Sequence, residues 1–179
     1  MGGNCTLRIA RDLAKKPIPQ VCHVVAVSPV IEPEETCTLI DKSPLIRRYF
    51  LRKFDRLYRQ KQAQFPEYMS ANDLLHQKTL HDLTELSVLR WSEFSSAEMY
   101  FSAYKIRKGD FAQTNVPVTL LTAKDDPIVS VNSARALDDG PQFERVFTSY
   151  GGHNGFFESF PNRVFSERIA VARFIKAMA

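Results

Sequence analysis

The chain has 179 residues, of which 44% are hydrophobic, so it can build one domain with a real core and falls outside disordered, collagenous and repetitive compositions. A net charge of +4, with acids and bases mixed along the length, argues against a nucleic-acid binder. Three cysteines, Cys5, Cys22 and Cys37, match neither a zinc site nor a disulfide framework and point to a reducing compartment; with no leader pattern and no bilayer-length apolar window, the expected location is cytoplasmic.

Residues 4 to 16 place Leu7, Ala10, Leu13 and Ala14 on one face and Arg8, Arg11, Asp12 and Lys15 on the other, which predicts a helix ended by Pro17 and Pro19. Val21 to Val27 is a nearly unbroken apolar, β-branched run closed by Ser28-Pro29, the pattern of a strand covered on both faces in a parallel sheet. From about Glu32 to Gln113 the pattern changes to helical segments rich in arginine, lysine and aromatics, read as an insertion. Within it Leu45, Tyr49, Phe50, Phe54, Leu57 and Tyr58 recur at helical spacing, while Arg47, Arg48, Arg52, Lys53, Arg56, Arg59 and Lys61 fill the remaining face. Residues 71 to 91 and 95 to 106 are expected to be helical, capped by Ser70 or Asn72 and by Ser95 or Ser96. The sheet pattern resumes at Val116 to Ala123. A short helix at 131 to 137, a strand at 143 to 149 and a closing helix at 165 to 178, with Phe165, Ile169, Ala172 and Ile175 inward, complete an α/β alternation.

Two motifs carry chemistry. Ala123-Lys124-Asp125-Asp126-Pro127-Ile128 puts acids at a strand end, and Gly151-Gly152-His153-Asn154-Gly155-Phe156 follows with a glycine-flanked histidine. An acid and then a histidine are the second and third members of a Ser-Asp-His triad in the chain order of α/β-hydrolases. The opening Met1-Gly2-Gly3-Asn4 reads as the back half of a G-x-S-x-G nucleophile elbow, with Met1 as the residue after the serine.

Together with Val25-Ala26-Val27-Ser28-Pro29, Tyr100 within Ser96-Ala97-Glu98-Met99-Tyr100, and Val116-Pro117, these motifs resemble, in order and spacing, the C-terminal half of the YheT-like branch of α/β-hydrolases. That group includes plant embryogenesis-associated hydrolases and animal lipid-acting relatives. The resemblance covers nearly the whole chain and starts one residue after the nucleophile serine, so the serine and every earlier strand are missing. Trp91-Ser92-Glu93-Phe94 matches the family's aromatic-acidic cap stretch only loosely. The fold it implies is α/β: the C-terminal portion of an α/β-hydrolase parallel sheet, over residues 1–31 and 114–179, with a helical cap insertion over residues 32–113.

By position, the resemblance makes His153 the general base and Asp126 the acid that orients it, with Asp125 as the alternative acid and the Met1 nitrogen as an oxyanion donor. It implies a serine esterase acting on carboxylic esters with an apolar part, the aromatic cap lining the pocket. No cofactor and no metal are expected; His76 and His81 are five apart and do not share a helical face as a metal pair would. Without the serine, the chain alone is expected to be inactive. Cys5, Thr6 and Ser28 are read as packing or capping residues rather than substitutes for it. The alternative reading is a noncatalytic half-domain that binds a partner, either the missing N-terminal half or a second copy. The basic amphipathic segment from Leu45 to Lys61 suits weak contact with an anionic membrane surface, a solvated face being the plainer alternative.

Overall fold

The computed structural model describes residues 2–67, 74–137, 140–159 and 163–178. In chain order its elements are α1 (Gly2–Leu13), β1 (Val24–Val27), α2 (Pro33–Lys42), α3 (Pro44–Gln64), α4 (Leu80–Trp91), α5 (Ala97–Tyr104), β2 (Val118–Ala123), α6 (Val131–Ala136), β3 (Phe143–Thr148), β4 (Phe157–Ser159), β5 (Arg163–Val164) and α7 (Phe165–Met178). The protein is thus mixed helix and sheet, and it divides into two units, residues 1–32 with 105–179 and residues 33–104.

The first unit is built on a parallel sheet of order β1-β2-β3. Val24 pairs with Val118 and Val27 with Leu121; Val118 in turn pairs with Phe143 and Ala123 with Thr148. Every residue of β2 is buried, as a central strand covered on both faces requires. One face carries Val24, Ala26, Val118 and Leu120, packed with Leu7, Ala10 and Leu13 of α1. Each such buried leucine contributes roughly 1.5–3 kcal/mol of transfer free energy. On the other face Leu121 and Ala123 pack with Phe156.

Several expectations shift. The first helix stops at Leu13, with a turn in place of its last residues, and the first strand spans 24–27 rather than 21–27 because Val21 donates its N–H to Ile18 O in a turn. Residues 105–113, expected in the insertion, lie in the first unit: Ile106 and Phe111 are each 1% exposed within its core. Helix α7 does not turn Ala172 and Ile175 inward; Ala172 is exposed and Ile175 is 60% exposed. Phe165 packs against the core as expected, while in the second half of the helix Arg173 and the 39% exposed Phe174 make the contacts. Arg173 makes a two-pronged ion pair with Glu144 of β3, and the Phe174 ring meets the edge of His23. Residues adjacent along a helix point about 100° apart, so seating Arg173 and Phe174 turns Ile175 away.

The Glu144 carboxylate also accepts the Thr119 hydroxyl proton at 3.0 Å, which makes Thr119 Oγ1 the acceptor for His23 Nε2 at 2.9 Å. Burial first, then the Arg173 charge, holds the His23 imidazole below its ordinary value, whereas the Arg173 hydrogen bond holds Glu144 below the usual carboxylate range.

The second unit is a set of four helices, α2 to α5, among its described residues. Its buried side chains include Cys37, Ile40, Tyr58, Leu80, Leu83, Val88, Ala97 and Phe101. Burial pushes the Cys37 thiol up to about 12. Helix starts are capped across the unit: Asp41 accepts from Leu80 N at 2.7 Å and His81 N at 3.1 Å, satisfying donors that the first turn of α4 leaves free. Thr79 is the N-cap of α4, its Oγ1 accepting from Asp82 N, so that helix begins later than the sequence suggests; Ser70 and Asn72 lie outside the described residues. Ser96 serves α5 through Met99 N. In α3 the apolar positions split. Tyr58 is buried, bonded to Ser87 and stacked on Trp91, and Phe54 stacks on Tyr58, whereas Leu45, Tyr49 and Leu57 are 82%, 56% and 41% exposed. Among the described residues no helix is long and apolar enough to cross a membrane.

Candidate functional site

Parallel strands bring their carboxyl ends to one edge of the sheet, where loops can place side chains on a rigid support. Residue 126 follows β2 and residue 153 follows β3, neighbouring strands in the order, so sequence positions 27 apart meet at that edge. His153 Nδ1 lies 2.9 Å from Asp126 Oδ2.

The acid is held by its own turn. Asp126 Oδ1 accepts from Ile128 N at 2.8 Å and Val129 N at 2.9 Å, an arrangement in which an aspartate side chain replaces backbone acceptors while Pro127 fixes the chain between them. The Asp126 side chain is fully buried, and the His153 side chain is 28% exposed. With Oδ1 occupied by two backbone donors, Oδ2 is free to take the imidazole N–H. That bond assigns the proton of the neutral ring to Nδ1 and leaves the lone pair on Nε2.

The histidine loop is shaped by glycine at two positions. A Cβ at Gly151 would sit 2.7 Å from Phe156 Cδ1, closer than real contacts allow, and a tight 3.1 Å from Ala123 Cβ. Gly152 has φ +54, a left-handed conformation that costs glycine little. Asn154 and Phe156 are also left-handed, at φ 71 and 50, and the loop closes through Gly155 N and Phe156 N donating to Gly151 O. Phe156, 2% exposed, anchors the far side in the core. Asp125, the alternative acid, bonds elsewhere: its Oδ1 accepts from Gly152 N at 2.9 Å. The two acids therefore hold the same loop by different atoms, Asp126 by the ring and Asp125 by the backbone one residue earlier.

The start of α1 lies at the same edge. Gly3 is packed so closely that a Cβ would be 2.8 Å from Pro29 Cα and 2.9 Å from Val27 O, at the carboxyl end of β1. Asn4 donates to Val30 O at 2.8 Å and fastens the same turn. Met1, expected as an oxyanion donor, lies outside the described residues. Among the described residues, Cys5, Thr6 and Ser28 make no hydrogen bond to His153: Cys5 is exposed, the Thr6 hydroxyl donates to Gly2 O, and Ser28 is buried at φ 42 with its hydroxyl unpartnered. No group of three or more His, Cys, Asp or Glu among the described residues is placed to hold a metal ion.

The Gly152–Asp125 bond and the Phe156 anchor were not legible as site features in the sequence; the paired glycines before His153 were the one signal that a shaped loop was present. The sequence matches no protein-family model and no curated protein.

Proposed function

We propose that this chain supplies the acid and base of a serine hydrolase of the α/β-hydrolase type, acting on carboxylic esters. The observation that carries the reading is the 2.9 Å contact between His153 Nδ1 and Asp126 Oδ2 at the carboxyl edge of a parallel sheet, with the Gly3 turn of α1 packed at the same edge. The resemblance places the nucleophile serine immediately before Met1. In that arrangement His153 Nε2 takes the serine proton as the hydroxyl attacks the ester carbonyl. Asp126, bonded to Nδ1, keeps the ring in the required tautomer and stabilises the imidazolium. The imidazolium then returns the proton to the leaving alcohol, and the same base activates the water that clears the acyl-enzyme. Met1 N–H is the oxyanion donor in this scheme.

The experiment is a comparison of two chains. If the reading frame ahead of the Met1 codon encodes glycine-x-serine, the extended chain should hydrolyse nitrophenyl esters and label with a fluorophosphonate at that serine, while residues 1–179 alone should do neither. Stoichiometric labelling of residues 1–179 would overturn the assignment of the nucleophile. A stop codon ahead of Met1 would favour the second reading, a noncatalytic half-domain. Both readings fit the edge of β1, which among the described residues pairs with β2 alone.

A further inference from the structure

Helix α3 concentrates positive charge, with seven basic residues and a single acid, Asp55. Arg48, Arg52 and Arg56 follow one another at i, i+4 and i+8, all exposed, with exposed Lys53 beside them. Among the described residues no ion pair joins any of the three arginines to an acid; Asp55, on the same face, is bonded to Arg59. Like charges one turn apart destabilise a helix, so the stripe works against folding in the free protein and gains where an anionic surface meets it. Arg48 and Arg52 also border a shallow groove of about 570 Å³ that reaches Leu75.

Two apolar side chains lie in the same strip. Leu45 is 82% exposed and Tyr49, one turn on, is 56% exposed with Lys53 Nζ 5.4 Å from its ring centroid. Their inward counterparts, Phe54 and Tyr58, already pack within the unit, so Leu45 and Tyr49 serve no core. An exposed leucine gains free energy where it meets apolar surface, and a bilayer interface offers that directly beneath its headgroup phosphates.

We propose that this face of α3 is a docking surface for anionic phospholipid membranes, the arginines meeting headgroup phosphates and Leu45 and Tyr49 entering the interface. The assignment rests on α3 alone and is independent of the hydrolase reading. The test is co-flotation of the 179-residue chain with vesicles of phosphatidylcholine alone and of phosphatidylcholine with phosphatidylserine. Binding should require the anionic lipid and weaken as salt is raised. Replacing Arg48, Arg52 and Arg56 by glutamine, which preserves helix propensity, should lower partitioning about a hundredfold. Leu45→Ser with Tyr49→Ser should also release the protein while leaving the arginines in place. Both variants change outward positions and should keep the parent circular dichroism; the lipid and salt dependence of the parent chain tests the proposal without any variant. Equal binding to neutral vesicles, indifference to either set of substitutions, or tighter binding to RNA than to anionic vesicles at the same salt would overturn it.

Discussion

Gly152 N donates to Asp125 Oδ1 at 2.9 Å, one residue before the ring of His153 is held by Asp126. The neighbouring acids thus divide two tasks, fastening the loop and orienting the imidazole. Asp126→Ala removes the acceptor of two backbone donors as well as the histidine contact, and should destabilise the chain by about 2–4 kcal/mol. Asp125→Ala frees one exposed donor and should cost about 1 kcal/mol. In the serine-containing chain Asp126→Asn should lower turnover by ~10⁴ and Asp125→Asn far less. Urea midpoints and ester turnover check both; reversal of the order would reassign the acid.

Gly151 is the tightest position of the histidine loop. Gly151→Ala places a methyl against the Phe156 ring, whose far side is fixed in the core, so the ring cannot simply retreat. The expected loss is about 1–3 kcal/mol, read as a shifted urea midpoint. Gly152→Ala has open space around its Cβ and should cost about 1 kcal/mol, from its positive φ alone.

His23 should impose a pH dependence of its own. Burial and the charges of Arg173 and Lys176 lower its folded value, with Glu144 opposing them, so the folded state favours the neutral ring. Above the ordinary value of 6.5 the ring is neutral in both states and its contribution is complete. As pH falls below 6.5 the unfolded chain gains the proton first, and stability declines until the lowered folded value is passed. Glu144 acts further into acid: its depressed value adds stability above 4.5 that is lost as pH falls through the folded value. His23→Gln should flatten the first slope and leave most of the second, since the Arg173 hydrogen bond is the largest cause that lowers Glu144 and the His23 charge the smallest. Stability series across mildly acidic pH, in both proteins, measure this.

How far the sequence speaks differs along the chain. Val118 to Ala123 was legible because a central parallel strand is apolar on both faces, and no helical period competes in so short a run. The approach of Asp126 to His153 was legible only as chain order; which of two adjacent acids faces the ring depends on the turn that gives Asp126 Oδ1 to Ile128 and Val129. The inward face of α7 was legible only in part: Phe165 packs against the core as expected, whereas Ala172 and Ile175 stay exposed in the stretch where Arg173 pairs with Glu144. In α3 the aromatic and aliphatic positions look alike in sequence, yet the Phe54–Tyr58 side is the one that stacks against α4, since burial depends on where α4 lies.

The edge of β1 carries a consequence for association. Its Val24–Val27 backbone pairs with β2 on one side, and no described strand lies on the other. Unpaired edges of apolar strands invite pairing between molecules. The 179-residue chain is expected to associate, bind the dye ANS and melt over a broad range. A monomer by light scattering with a sharp transition and no dye binding would show that the edge is protected.

His153, oriented by Asp126, is proposed as the base of a serine hydrolase. The most direct measurement of that role is nitrophenyl ester turnover by the serine-containing chain with and without His153→Ala, at equal folded content by circular dichroism. A loss of ~10⁴ to 10⁶ in kcat is expected, since triad members act as a unit. Turnover retained within tenfold would contradict it.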